Sequence, residues 1–404
     1  MTADLDRRYM ARAIEMAGKG LYTAKPNPRV GCIMVKDETV IAEGWHQRTG
    51  GPHAEIVALQ QAGEAAAGAT VYLSLEPCSH YGKTPPCVDA LIAAGVKRVV
   101  VAMQDPNPLV AGKGLHKLLQ AGIDVEHGVD WQAAERLNPG FLKRMRQQLP
   151  YVRCKVAMSI DGRTAMASGE SQWITGADAR IDVQHWRARS SAILTGIGTV
   201  LVDNPSLNVR FDDLVNAPYT DPDVKYPVSQ DKLNPSDDAQ AIDFKDKDQP
   251  VRVVLDSRLR ISEDAALLQL PGPVLIYTCH NDPQKIASLK ARGAEICLQA
   301  CATPQLNVTQ VLADLAKRDV NEVLLEAGAR LNGAMLSAGL VDEFIFYIAP
   351  SIMGDQARGA FHLPAVTAMA QKQELSPVDT RQIGGDWRII AQVKKPRQHL
   401  LNKE

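Results

Sequence analysis

His53, Glu55, Cys78 and Cys87 are the residues whose types and spacing most directly imply chemistry in this chain. One imidazole and two thiolates form a soft three-ligand set suited to Zn²⁺, with the fourth position left to water, as in a catalytic site. Zinc held this way lowers the pKa of its water until hydroxide is available near neutral pH. Glu55 stands two residues from His53 and suits proton shuttling to and from that water. A competing reading has the three ligands holding a structural zinc with a fourth side chain, or no metal at all; a structural site has no use for Glu55.

Elements must bring these residues together. A helix is expected over 53–62, opening at His53 and Glu55, and another over 88–93 with Cys87 at its start and Gly95 as its stop. The positive ends of both helix dipoles would then face the site and favour thiolate and hydroxide. Around them the pattern predicts a helix over 4–19, strands over 30–35, 40–45, 70–75 and 98–103, and a helix over 113–121. Such alternation favours a parallel or mixed sheet covered by helices on both faces.

At 404 residues the chain is long for a single core, so two domains are expected. The boundary falls after the basic turn FLKRMRQQLP, giving domains over 1–148 and 149–404. The second half alternates again: helices over 179–189, 308–317 and 331–338, and strands from 151 and over 192–195, 251–255, 274–278, 323–325 and 344–348. Residues 211–250 are Asp-, Pro- and Lys-rich without periodicity and read as an exposed insertion. A formal net charge of -1 disfavours a nucleic-acid partner, and no apolar run approaches a membrane span or a signal peptide, so a cytoplasmic location is expected. Seven cysteines, sparse and odd in number, argue for reduced thiols. Cys32, Cys154 and Cys279 lie in apolar strand-like runs and read as small buried hydrophobes; Cys297 and Cys301 flank a loop.

The order H-x-E, then P-C and a second Cys, resembles the cytidine-deaminase-like superfamily, whose signature ends P-C-x-x-C. Here eight residues, not two, separate Cys78 from Cys87. The string Cys78-Ser-His-Tyr-Gly-Lys-Thr-Pro-Pro-Cys87, with Pro26-Asn27-Pro28-Arg29-Val30-Gly31, is similar to the deaminase half of the bifunctional riboflavin biosynthesis deaminase/reductase family. Ser159-Ile-Asp-Gly-Arg163, Ser171-Gln-Trp-Ile-Thr175, Thr199-Val-Leu-Val-Asp-Asn-Pro205 and the run EVLLEAGARLNG from Glu322 to Gly333 resemble its reductase half. Thr195-Gly-Ile-Gly is only part of a G-x-G-x-x-G pattern and is weak alone. The strand running into Gly328 and a helix is better suited to aim backbone N–H groups at a pyrophosphate.

The resemblance implies an α/β architecture, with a cytidine-deaminase-like α/β/α domain followed by a dihydrofolate-reductase-like α/β domain. It implies Zn²⁺ and NADPH as cofactors. The implied reactions are deamination of 2,5-diamino-6-(5-phosphoribosylamino)pyrimidin-4(3H)-one and reduction of the resulting uracil's ribosyl group to ribityl. By matched motif it assigns Ala157, Trp173, Thr199, Asp203, Gly328, Ala329, Arg330, Leu331, Asn332, Gly333 and Ala334 to the nucleotide. Ser171, Arg187, Leu207, Arg210 and Glu326 fall to the phosphoribosyl substrate, with Arg187 and Arg210 offering planar forks for phosphate. Blander readings stand beside these: Arg187 as a solvated surface charge, Trp173 as a core aromatic, Glu326 as a strand-end surface group. His46 and His80 read either as exposed loop histidines or, with Lys83, as contacts to the substrate phosphate. Expected partners are the small phosphoribosyl pyrimidine and further copies of the chain as a dimer or tetramer. The rivals are a deaminase of a flipped base, disfavoured by charge, and a zinc-stabilised regulator, disfavoured by Glu55.

Overall fold

The computed structural model describes residues 3–80, 85–107, 110–215, 248–301, 303 and 305–394. The chain divides into two compact units whose main junction lies between Pro150 and Tyr151. The first unit runs α1 (Ala3–Gly18), β1 (Gly31–Lys36), β2 (Thr39–Trp45), α2 (Ala54–Ala62), β3 (Thr70–Leu73), α3 (Cys87–Ala93), β4 (Arg98–Val101), α4 (Lys113–Gln120), β5 (Asp124–His127), α5 (Trp131–Leu137) and α6 (Pro139–Gln147). Its five strands are ordered β2-β1-β3-β4-β5. The two β1 pairings are antiparallel and the remainder parallel.

Side chains alternate across this sheet because successive Cβ atoms point to opposite faces. Cys32, Met34, Val71, Leu73, Val99 and Val101 pack with Ala54 and Ala58 of α2, Val88 and Leu91 of α3, and Leu115 and Leu118 of α4. Their neighbours Ile33, Val35, Tyr72 and Val100 face Met10, Ala13 and Met16 of α1, Ala134 of α5 and Phe141 of α6. Both faces are therefore apolar, and both are covered, which gives the expected α/β/α layering. β5, reading DVEH, is mostly exposed and carries no apolar alternation, which is why its sequence does not announce a strand.

The second unit contains β6 (Tyr151–Ser159), β7 (Arg163–Ala165), α7 (Ala177–Arg189), β8 (Ala192–Gly196), α8 (Ile197–Asp203), α9 (Phe211–Val215), β9 (Val251–Leu255), β10 (Val274–Thr278), α10 (Pro283–Ala291), β11 (Ala294–Leu298), α11 (Val308–Lys317), β12 (Glu322–Leu325), α12 (Ala329–Ser337), β13 (Glu343–Ala349), β14 (Arg358–Gly359), β15 (Leu375–Ile383) and β16 (Asp386–Val393). Nine strands form one sheet in the order β11-β10-β9-β8-β12-β6-β13-β16-β15. From β11 to β13 every pairing is parallel; β16 and β15 add an antiparallel edge. Buried Arg153 on β6 ties Glu322 of β12 to Glu343 of β13, while Arg388 of β16 binds Asp182 of α7 at 2.8 and 2.9 Å. Four arginines are among the largest fully buried side chains, so charge pairing as well as apolar packing specifies this core.

Of the expected insertion, residues 216–247 lie outside the described residues. At its base, Val209 N–H donates to Gln249 Oε1 and Gln249 Nε2 donates back to the Val209 carbonyl, both at 2.8 Å. One expectation is overturned: Cys279 and Cys301 form a disulfide, with Cα atoms 5.7 Å apart. Cys279 follows β10 and Cys301 lies shortly after β11. These strands are parallel neighbours with Thr278 opposite Leu298, so their ends meet although 22 residues separate the sulfurs in sequence. Cys32, Cys78, Cys87, Cys154 and Cys297 are free thiols.

Candidate functional site

In the first unit, His53 is the N-cap residue of α2 and Cys87 the first residue of α3, while Cys78 sits in the loop after β3. Gly44 on β2 makes this possible. A Cβ there would lie 2.3 Å from the Ala54 carbonyl oxygen, so only glycine lets the start of α2 press onto the strand. His53 Nδ1 lies 3.2 Å from Cys87 Sγ and 3.6 Å from Cys78 Sγ, and the Cys87 backbone N–H donates to Cys78 Sγ at 3.3 Å. All three ligand atoms fall within 4.8 Å of one another, and they are the only such group of three His, Cys, Asp or Glu side chains among the described residues. Tetrahedral zinc with bonds of about 2.0–2.3 Å separates its ligand atoms by about 3.5–3.8 Å, so the donors fit that ion by type and by spacing. Lys83, expected beside the mouth of this site, lies outside the described residues.

The electrostatics suit a metal and a proton carrier. The hydrogen bond from Cys87, followed by that from His53, holds Cys78 down at about 4, so one thiolate is present at neutral pH. His53 is pushed up, first by its hydrogen bond to Cys78. Glu55, 3% exposed in the first turn of α2, has its carboxyl raised, chiefly by burial.

His46 is not an exposed loop histidine, since it is 3% exposed. Its Nδ1 lies 3.0 Å from the Pro52 carbonyl, which can only accept, so Nδ1 carries the proton. Nε2 is then the acceptor for Asn27 Nδ2 at 3.0 Å. Its ring stands edge-on to that of His53, with centroids 5.5 Å apart. Both ring nitrogens are thus engaged within the protein, whereas His80 is exposed.

In the second unit a charged cluster gathers around Glu326, just beyond β12 and 7% exposed. Arg187 of α7 forms a two-pronged pair with it at 2.6 and 3.0 Å, and Lys155 Nζ of β6 lies 3.2 Å from its Oε2. Burial alone would raise the Glu326 carboxyl, but the charges of Arg187 and Lys155 outweigh it and hold the group at about 2. The surface readings of Arg187 and Glu326 therefore fail. Lys155 was missed because a single Lys inside the apolar run YVRCKVAMS carries no spacing signal; a cation at an inward-tending strand position is the hint that was available.

The other motif residues divide. Ser171 Oγ donates to Asp203 Oδ1 at 2.8 Å, joining two residues assigned to different ligands. Thr199 is half-buried on α8 and Ala157 half-buried on β6. Trp173 is 70% exposed with the Arg180 guanidinium 4.5 Å over its ring, so it is not a core aromatic. Leu207 is 2% exposed and packed in the main apolar cluster, which leaves only its backbone for a ligand. Arg210 is exposed and pairs with Asp213 at 2.6 Å. Gly328 caps α12, where Ala329, Arg330, Leu331 and Ala334 retain exposure. Leu331 lies against Gly196, bringing the end of β8 to the start of α12. Asn332 and Gly333 turn inward: Asn332 Nδ2 donates to the Ala327 carbonyl at 3.1 Å, and a Cβ on Gly333 would lie 2.0 Å from the His362 oxygen. Among the described residues no helix is long and apolar enough to cross a membrane.

Comparison with known proteins gives two family models side by side. Residues 3–103 match the cytidine and deoxycytidylate deaminase zinc-binding region, and residues 150–389 match the RibD C-terminal domain. The riboflavin biosynthesis protein RibD of Escherichia coli is 47% identical over 388 residues, covering 94% of this chain and 97% of that protein. The RibD of Haemophilus influenzae is 46% identical over 94% of this chain and 95% of its own length. Among solved structures, Acinetobacter baumannii RibD superposes with a TM-score of 0.83 at 44% identity, covering 98% of this chain and 100% of that one. A diaminohydroxyphosphoribosylaminopyrimidine deaminase/5-amino-6-(5-phosphoribosylamino)uracil reductase from Thermotoga maritima gives 0.78 at 30% identity, over 97% and 99% of the two chains.

Proposed function

The chain belongs to the RibD family of riboflavin biosynthesis and is a bifunctional deaminase/reductase; from that premise we propose how its residues divide the two reactions. The deaminase half, residues 1–148, would remove the 2-amino group of 2,5-diamino-6-(5-phosphoribosylamino)pyrimidin-4(3H)-one. The reductase half, residues 149–404, would reduce 5-amino-6-(5-phosphoribosylamino)uracil to its ribitylamino product. The observation that carries the first assignment is the convergence of His53, Cys78 and Cys87 beside a buried carboxyl.

His53, Cys78 and Cys87 would hold zinc, which when bound supplies a Lewis acid that makes water nucleophilic near neutral pH. Glu55 accepts a proton at its carboxylate, passes it to the pyrimidine ring nitrogen, and assists departure of ammonia. Its raised pKa brings it nearer the working pH, where a general acid–base group is most effective. His46 fixes Asn27 through Nε2 and leaves the Asn27 amide oxygen for a substrate N–H.

In the reductase half a nicotinamide cofactor supplies hydride, and NADPH is the form we assign. The N-terminal turn of α12, opened by Gly328, would offer its free N–H groups to the pyrophosphate, with Ala157, Trp173, Thr199 and Asp203 along the length of the dinucleotide. Arg187 and Lys155 pair with Glu326, which we assign to the ribosyl hydroxyls, and we assign Lys155 as the proton donor to the opening sugar oxygen. Ser171, the Leu207 backbone and Arg210 complete the phosphoribosyl side. We further assign the protein to the cytoplasm and to a homo-oligomer. The test is to incubate the purified chain with the diaminopyrimidinone phosphate, with and without NADPH, following ammonia and NADPH separately. Ammonia should appear without NADPH, and NADPH should be consumed only after ammonia release; NADPH loss without deamination would overturn the order.

A further inference from the structure

Two of the three ligand residues stand on helices, His53 as the N-cap of α2 and Cys87 as the first residue of α3. Cys78 has no helix of its own and lies in the loop after β3. One nitrogen and two sulfurs share an ion tightly only if that loop is held as firmly as the helices. Backbone contacts supply part of the hold: the Val88 N–H donates to the Cys78 carbonyl at 3.3 Å, and the Glu76 N–H to the Met103 carbonyl at 3.0 Å.

The Glu76 side chain, two residues before Cys78 and 4% exposed, supplies more. Its Oε2 accepts the N–H groups of Asp105 at 3.1 Å and of Gly112 at 2.9 Å, and its Oε1 accepts that of Gly114 at 3.0 Å. Gly112 and Gly114 frame the start of α4, where N–H groups have no partner within the helix and a carboxylate meets the positive end of the dipole. Three donors converge on the group, a demand that an acceptor-only carboxylate meets and an amide, with one oxygen, meets only in part.

The two segments also touch directly, since a Cβ on Gly114 would lie 2.4 Å from the Pro77 carbonyl oxygen. Pro77 fixes its own φ and confines Glu76 to extended backbone, so the placement of Glu76 is passed on to Cys78 with little slack.

We propose that Glu76 is a positioning residue for the deaminase reaction: its carboxylate clamps Asp105, Gly112 and Gly114 against the loop that carries Cys78, and so fixes the ligand that no helix holds. The inference rests on the reading of His53, Cys78 and Cys87 as a zinc site. Support of this kind from outside the ligand set changes metal affinity by about 10- to 100-fold.

The full chain, stripped of metal, should be titrated with zinc against a chromophoric chelator. Glu76→Gln should bind zinc about 10- to 100-fold more weakly. Asp6→Asn controls for lost stability alone: Asp6 is buried on α1, against the opposite face of the sheet, and accepts from Tyr72 Oη at 2.7 Å and from Arg98 at 2.8 and 2.9 Å. It should lower the denaturation midpoint and leave zinc affinity unchanged. Unchanged affinity in Glu76→Gln, or equal loss in both variants, overturns the proposal. Should Glu76→Gln not fold, amide hydrogen exchange of the unaltered chain with and without zinc decides. Coupling is reciprocal, so zinc should slow the Asp105, Gly112 and Gly114 amides about tenfold more than those of α1. Equal slowing in both, or none, overturns the proposal. Failure of the unaltered chain to bind zinc defeats the reading of the site, and the proposal with it.

Discussion

Glu55→Gln separates the proton carrier from the metal it serves. The amide has the volume of the carboxyl, so the 3%-exposed position keeps its packing, and none of the three ligand residues is replaced. The structural change is confined to the contact between the Glu55 carboxyl and Cys87. The chemical loss is larger: an amide cannot take up and return a proton, and a positioned general acid–base group contributes about 10²–10⁴ in rate, or about 3–5 kcal/mol of barrier. Three measurements belong together, namely zinc per chain by elemental analysis, ammonia release from the diaminopyrimidinone phosphate, and NADPH oxidation with the preformed uracil substrate. Zinc should remain at one per chain, ammonia release should fall by two to four orders of magnitude, and reduction should be unaffected. Deamination within about tenfold of the unaltered enzyme would refute the shuttle, and loss of zinc would mean that Glu55 supports the ligands instead.

Two further outcomes follow from the reductase half. Glu326 is held at about 2 against an ordinary 4.5, so its pairing with Arg187 and Lys155 is fully stabilising above about pH 4.5 and is lost as pH falls toward 2. That difference amounts to about 3 kcal/mol, so Glu326→Gln should flatten the acid side of the stability profile measured by chemical denaturation; an unchanged profile would show that the pair contributes nothing. Arg210→Ala should raise the KM of the reduction about tenfold and leave ammonia release intact, because Arg210 is exposed and its guanidinium is held only by a surface pair with Asp213 among the described residues. Equal losses in both half-reactions would remove Arg210 from the phosphate site.

The elements of the first unit were largely legible because each buried strand carries its own pattern. Gly31–Lys36 and Thr70–Leu73 are apolar runs bounded by turns, and α2 and α3 open near where His53 and Cys87 suggest. The antiparallel edge of the second sheet was not. β15 reads LSPVDTRQI, mostly exposed, with Pro377 at a register shift against β16, so it lacks both alternation and an uninterrupted run. α10 did carry signals, Pro283 at its start and Asp282 accepting from Gln284 N and Lys285 N, which a search for caps would have found.

Residue types and local spacing were enough to name a three-ligand metal set with an acid beside it, because ligand chemistry belongs to the side chains and a helix start can be read from a few neighbours. Long-range adjacency was beyond that reach. The meeting of Cys279 with Cys301, the contact of His46 with Asn27, and the Lys155–Glu326–Arg187 cluster each join segments whose separation in sequence says nothing about distance. Those pairings depend on strand order in the sheet and on which face of an element is buried, and both are settled only when the whole chain packs.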